Sequence, residues 1–218
     1  MQVIYDNHDK WLEGRINSIG GSECSAVIGL NPYMSNTELW ELKTGQRAKE
    51  DISNKPYIIY GHKAEELLVK LFELDYPEYE VNYNDNYRVN YHDKYNYISC
   101  TRDCDLVEKS TGRKGALEIK TTELLASMHK EKWKDRVPDN YLCQVMQYFI
   151  TDKDLDFVIL KAQLKTDYGG GDIRTTTRHY FFERKDYLED IEFLEQKEIE
   201  FWENYVKPNK RPNLIIDF

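Results

Sequence analysis

Ile98-Ser99-Cys100-Thr101-Arg102-Asp103-Cys104-Asp105-Leu106-Val107 and, after a charged turn, Gly115-Ala116-Leu117-Glu118-Ile119-Lys120 decide how this chain is read. Both halves have strand composition, aliphatic residues bounded by Gly and charged turn residues. Period-2 alternation sets Leu117 and Ile119 on one face of the second strand and Glu118 and Lys120 on the other. Asp103 and Asp105 share a face of the preceding strand, and the short turn between the strands brings one of them to Glu118. Such oxygen ligands suit Mg²⁺, a hard cation that keeps several waters, with Mn²⁺ as its substitute. A lysine ammonium beside them can orient a water nucleophile or offset charge on a phosphodiester.

The tripeptide alone carries little weight. Glu-x-Lys recurs at Glu41/Lys43, Glu183/Lys185 and Glu195/Lys197, and only the copy at 118/120 follows an acidic strand. Around it the pattern predicts strands over 79–84, 87–91, 95–101, 103–107 and 115–121, paired as an antiparallel meander. Helices are expected over 5–15, from an N-cap at Ser22 through Ile28, after a Ser35–Glu38 capping box, and over 61–74. Pro138 opens a helix through Ile150. Strands over 155–164 and 175–182 flank a Gly169–Gly171 loop, and an acidic helix closes the chain over about 186–205, within 184–206. Alternation of this kind implies an α/β fold, a central mixed β-sheet flanked by helices, in one domain spanning 1–218.

With 30 Lys+Arg against 39 Asp+Glu, a net charge of -9 excludes a uniformly basic coat for nucleic acid. The deficit is uneven: residues 183–205 contribute nine acids and three bases, whereas 109–136 hold eight bases and four acids. Trp133 and Lys114 in that basic stretch are candidate DNA contacts. Cysteines at 24, 100, 104 and 143 form no C-x-x-C pair, so clustered zinc or iron–sulfur ligation is not expected. No run approaches the roughly 20 apolar residues of a membrane span, and the N-terminus lacks a leader pattern, so a cytoplasmic protein without membrane partners is expected.

A resemblance adds to this. Arg15, Ile19-Gly20-Gly21-Ser22-Glu23, Ile28-Gly29-Leu30-Asn31-Pro32-Tyr33, Leu39-Trp40 with Lys43-Thr44-Gly45, Gly61-His62 with Glu65, Asp103, Glu118-Ile119-Lys120, and Pro138, Tyr141, Gln144 and Tyr148 stand in order. Together, over about 11–165, they resemble the YqaJ-type viral recombinases, lambda-exonuclease-like members of the PD-(D/E)XK nucleases. The resemblance implies a restriction-endonuclease-like core. Asp103, Glu118 and the Ile119 backbone carbonyl would hold the metal, with Asp105 the less favoured alternative, and Lys120 would be the catalytic lysine. Glu65 would approach the metal site, Gln144 and Tyr148 would lie beside it, and Tyr148 would also reach DNA.

Arg15 and Ser22 match the family's pocket for the 5′-phosphate of a DNA end, where a Gly-Gly turn and a helix N-terminus also favour an anion. The implied activity is 5′-to-3′ exonucleolytic hydrolysis of linear double-stranded DNA to 5′-phosphomonoesters, serving phage or viral single-strand annealing recombination. A single-strand annealing protein is then a partner, and a closed homo-oligomer such as a trimer the assembly. Met146 stands where many members have a second Gln, and Cys104 where many have Gly. A restriction or structure-specific endonuclease, a catalytically silent DNA-end-binding module and a zinc-stabilised nucleic-acid-binding protein stay open as alternatives.

Overall fold

Side chains of one strand divide the molecule's interior in two. Along β7 (Phe157–Asp167), Phe157 and Ile159 enter one apolar cluster, and Val158, Leu160, Ala162 and Leu164 enter the other. A strand covered on both faces reads as a nearly continuous apolar run, and this one does. One cover is α4 (Pro56–Asp75), which begins on a proline at its first turn and buries Ala64, Leu68, Val69 and Phe72. The other cover is α5 (Asp139–Thr151), packed with α2 (Cys24–Val27) and α6 (Leu188–Phe201).

The computed structural model describes residues 1–48, 50–84, 86–124 and 131–215. Its main sheet has five strands in the order β2 (Tyr79–Tyr83), β5 (Cys104–Glu108), β6 (Lys114–Glu123), β7, β8 (Ile173–Glu183). Only β6 and β7 are parallel, with α5 as the crossover that a parallel pair requires. The expected mixed sheet flanked by helices is thus present.

The expected antiparallel meander is not. β3 (Tyr87–Tyr91) and β4 (Ser99–Cys100) leave the main sheet and join β1 (Gln2–Tyr5) in a three-stranded sheet of order β1-β3-β4. Tyr5 and Tyr91 hydroxyls meet at 2.7 Å across it. Local period shows that a segment is a strand, but choice of partner is a long-range matter of burial. Residues 2–5 accordingly pair as a strand, and α1 (His8–Ile16) starts only after Asn7, whose side chain accepts the Lys10 amide at 3.0 Å.

The capping box before α3 (Asn36–Lys43) forms as read, Ser35 and Glu38 bonding reciprocally. α4 starts five residues earlier than the expected 61 and leaves Leu67 and Leu71 exposed. After α6 a π-helical turn, Trp202–Val206, takes over. Leu188, at the start of α6, is 58% exposed. Among the described residues, no helix is long and apolar enough to cross a membrane, and all four cysteines are free and buried.

α6 is not simply a solvated acidic face. Glu198 is fully buried and accepts a bond from Gln147 Nε2 at 2.8 Å. Burial pushes its carboxyl well above the ordinary 4.5. The folded protein therefore keeps a proton there that the unfolded chain releases above about pH 4.5, so stability drawn from this residue declines as pH rises from that point. Glu198→Gln keeps the acceptor for Gln147. In thermal melts from pH 4 to 8 it is expected to flatten that decline and to stabilise the fold at neutral pH by about 1–2 kcal/mol.

Candidate active site

The main sheet splits at one point. β5 and β6 pair from Val107↔Lys114 to Cys104↔Leu117 and stop, whereas β6 continues against β7 as far as Glu123. Beyond Leu117 the β5 side of β6 is an open edge. Ile119 donates its N–H there to Asp103 Oδ2 at 2.7 Å. Because the N–H and C=O of one strand residue leave from the same edge, the Ile119 carbonyl faces this opening as well.

Glu118, 2% exposed, is held by three donors. Gln144 Nε2 reaches its Oε1 at 2.8 Å, the Lys120 ammonium bonds the same oxygen, and the Tyr148 hydroxyl bonds Oε2. A carboxylate offers about four lone-pair directions, so one remains. Gln144 and Tyr148 lie one helical turn apart on α5 and also bond each other at 3.2 Å. Tyr148 is completely buried. It anchors Glu118 and does not present itself to DNA, which corrects the expected contact.

From the other side of the sheet, Glu65 on α4 accepts the Tyr83 hydroxyl at 3.1 Å. Burial and then the charge of Glu118 raise its carboxyl above the ordinary range. Burial, then Glu118 and Glu65, push Asp103 well above its ordinary value. Burial works against a charged Lys120, yet Glu118 and Asp103 outweigh it and hold the ammonium above the usual lysine range. The ammonium also lies 5.1 Å from the Tyr141 ring centre. Tyr83 and Tyr141 were not singled out in the sequence as site residues. Tyr141 stood within the Pro138–Tyr148 pattern, while nothing set Tyr83 apart from its many neighbouring tyrosines.

Asp105, the alternative ligand, is engaged elsewhere. It pairs with Arg88 at 2.7 Å and with Arg102 at 2.8 Å, and Arg102 in turn reaches Asp152 at 2.8 Å. Trp133, expected at the DNA surface, is 4% exposed and packs at a tilt against the Tyr141 and Tyr180 rings. An aromatic between lysines packs inward because its ring area is worth more in the core than on the surface. Lys114 begins β6, about 20 Å from Lys120 at roughly 3.3 Å per residue, and pairs with Asp154 at 3.4 Å. Neither joins the cluster. Lys130, one of the eight bases of that stretch, lies outside the described residues.

The Gly-Gly turn lies against the cluster. A Cβ on Gly21 would stand 3.2 Å from Gln144 Cγ, and one on Gly20 would stand 3.7 Å from Arg15 Nη2. Arg15 stacks over Trp11 at 4.4 Å, and Ser22 is exposed at the tip of the turn. The expected Ser22 cap is absent. α2 is a single turn starting at Cys24, Glu23 occupies the cap position, and no side chain caps it. Gly20 O already receives the Glu23 and Cys24 amides at 2.8 and 3.0 Å, so the turn closes on its own backbone without a Ser22 cap.

Among the described residues, no group of three or more His, Cys, Asp and Glu side chains forms a ready metal cage. Asp103, Glu118 and the Ile119 carbonyl nonetheless fit a cation that retains waters. Three carboxylates, with Glu65, face one ammonium, and burial followed by the charge of Glu118 raises the carboxyls of both Asp103 and Glu65.

The family described as the YqaJ-like viral recombinase domain matches residues 10–154. The chain belongs to that family. It is 31% identical over 210 residues to the uncharacterized protein YqaJ of Bacillus subtilis (strain 168), which covers 95% of this chain and 59% of that protein. The chain thus spans about three-fifths of the curated relative it matches. Its fold is similar to an alkaline exonuclease (LHK-Exo) from Laribacter hongkongensis, with a TM-score of 0.63 at 13% identity over 94% of this chain and 97% of that one. The same exonuclease in complex with dAMP gives 0.62 at 14% identity, again over 94% and 97%.

Relief of the repulsion at Asp103 gives a test. Asp103→Asn keeps an acceptor for the Ile119 N–H and removes one like charge, so in EDTA it is expected to melt higher than the parent, by about 1–2 kcal/mol of stability. Mg²⁺ titration is expected to raise the parent's melting temperature and to leave the variant's almost unmoved.

Proposed function

We propose that this family member is a metal-dependent deoxyribonuclease, a 5′-to-3′ exonuclease that hydrolyses linear double-stranded DNA from 5′-phosphorylated ends and releases 5′-phosphomonoesters. The observation that carries the reading is the strand fork, where Asp103, Glu118, Lys120 and the Ile119 carbonyl share one opening. Asp103, Glu118 and that carbonyl are the groups that would hold Mg²⁺ or Mn²⁺. When bound, the metal lowers the pKa of a coordinated water and offsets charge on the scissile phosphate.

The chain's own groups do the rest. Gln144 and Tyr148 fix both oxygens of Glu118, so its orientation costs nothing at the moment of reaction. Lys120, one-fifth exposed, is the cation available to orient the attacking water or to meet charge gathering on the phosphate. Glu65 closes the α4 side, where its raised carboxyl is suited to hold a proton. Arg15 offers a two-pronged donor to a terminal 5′-phosphate, and Ser22 belongs to the Gly-Gly turn next to it.

Similarity in fold to an alkaline exonuclease, one form of which is described with dAMP, agrees with this substrate class. An annealing protein as partner, a trimeric assembly and service in phage or viral recombination belong to the same proposal and rest on the family.

Degradation of linear duplex carrying 5′-phosphate or 5′-hydroxyl ends, in Mg²⁺ or EDTA, tests it. The 5′-phosphorylated strand is expected to shorten in Mg²⁺ and to persist in EDTA. Asp103→Ala and Lys120→Ala are each expected to lower the rate by about 10²–10⁴. Covalently closed circular duplex is expected to survive; its cleavage would favour an endonuclease. Unchanged degradation by both variants would refute the mechanism.

A further inference from the structure

Resting on the metal site proposed above, we infer that Arg102 is a positioning residue that holds the Asp103 carboxylate at the spacing from Glu118 that a small divalent cation requires. Residues 101–103 lie between β4 and β5, where the chain passes from the three-stranded sheet to the five-stranded one. Regular strand pairing does not fix them there.

Other bonds do. The Tyr148 hydroxyl donates to the Thr101 carbonyl at 3.1 Å, the Asn84 side chain to the Arg102 carbonyl at 3.0 Å and the Asn84 amide to the Asp103 carbonyl at 2.8 Å. While Asp103 turns to the Ile119 N–H, the neighbouring guanidinium, only 5% exposed, turns to Asp152 and Asp105, each at 2.8 Å.

The far end of that link is α5. Asp152 ends the helix with its amide still bonded to the Tyr148 carbonyl at 3.1 Å, and it follows Gln144 and Tyr148 at intervals of four. The three therefore stand along one side of the helix, and each holds a part of the site. Gln144 and Tyr148 hold Glu118, Tyr148 also holds the Thr101 carbonyl, and Asp152 holds Arg102. One helix face thereby fixes both carboxylates, and Arg102 carries its grip to the residue next to Asp103.

Two guanidiniums, Arg88 and Arg102, meet two carboxylates, Asp105 and Asp152. That network is balanced within itself and acts on the metal through position. Position matters most for a small ion: Mg²⁺ demands near-ideal octahedral geometry at about 2.0–2.1 Å, whereas Ca²⁺ accepts longer and less regular bonds. Loosening Asp103 should consequently cost Mg²⁺ more than Ca²⁺.

The experiment reads the Kd for Mg²⁺ and for Ca²⁺ from the rise in melting temperature on titration, without DNA, with Asp103→Asn marking the response that belongs to this site. Arg102→Met is expected to raise the Mg²⁺ Kd about tenfold or more and the Ca²⁺ Kd no more than about threefold. Asp152→Ala, at the more exposed end of the pair, is expected to move the ratio the same way by less. Asp152→Asn keeps an acceptor for Arg102 and is expected to match the parent. Circular dichroism confirms folding. Should Arg102→Met fail to fold, Asp152→Ala against Asp152→Asn carries the comparison.

A purely structural ion pair would lower the melting temperature in the absence of metal and leave the two dissociation constants in their parental ratio. That result, or an equal rise for both ions, overturns the inference while the metal site stands. A parent that binds neither ion removes the metal site and the inference together.

Discussion

Pairing between β5 and β6 ends at Cys104↔Leu117, and the Asp103 carboxylate takes over at the next step by accepting the Ile119 N–H. A backbone donor on an open strand edge is expensive to leave unpaired, and a side chain that satisfies it is fixed in place by the same bond. Asp103 is thereby held at the fork by a structural need. Its charge cannot relax away from Glu118, and burial together with that neighbouring charge holds its carboxyl above the ordinary range. The cluster is strained electrostatically because the sheet is satisfied geometrically. Sites that trade stability for a reactive arrangement commonly have this character.

α5 is what makes the fork usable. As crossover between two parallel strands it must lie flat on the sheet, and its apolar residues do so through Val145, Met146, Phe149 and Ile150. The polar residues on the same helix are then forced inward, where each must find a partner. Gln144 and Tyr148 find Glu118, while Gln147 finds Glu198 on α6 as well as the Ile19 and Ser99 carbonyls at 3.3 Å. One helix therefore links the Gly-Gly turn, the Glu118 carboxylate and the closing helix through buried, hydrogen-bonded side chains. A methyl group on Gly21 would stand 3.2 Å from Gln144 Cγ, so that Gln144, already bonded to Glu118, would have to give way.

The sequence was most legible where function and local pattern coincide. Alternation in β6 separated Glu118 and Lys120 from Leu117 and Ile119, and the structure keeps that separation. The Ser35 capping box and the Pro138 helix start are local signals that tertiary packing left alone. Strand partners were not legible, since β3 and β4 look like any other short Tyr- and Val-rich strands until β1 is there to pair with them. Charge was the most misleading signal. Trp133 sat among lysines and is core, Lys114 sat in the basic stretch and stands at the opposite end of its strand from Lys120, and Glu198 sat in an acidic helix and is buried. Composition counts charges along the chain, whereas a site depends on which charges share a space.

Under the proposed nuclease reading, that distinction also bears on how an acidic chain could meet DNA. Nine acids against three bases over residues 183–205 supply most of the negative excess, but they are not equivalent. Glu183 pairs with Arg113, Glu200 with Lys197 at 2.8 Å, and Glu198 is buried with its carboxyl raised well above the ordinary range. The effective repulsion from that helix is smaller than its formal charge. At the fork the sum runs the other way, with three carboxylates gathered around one ammonium, and a divalent cation would bring that local charge close to neutral. Under the proposed reading a polyanion would meet less repulsion at such a site with the cation bound, so metal occupancy and DNA affinity are expected to rise together there, whatever the net charge of the chain.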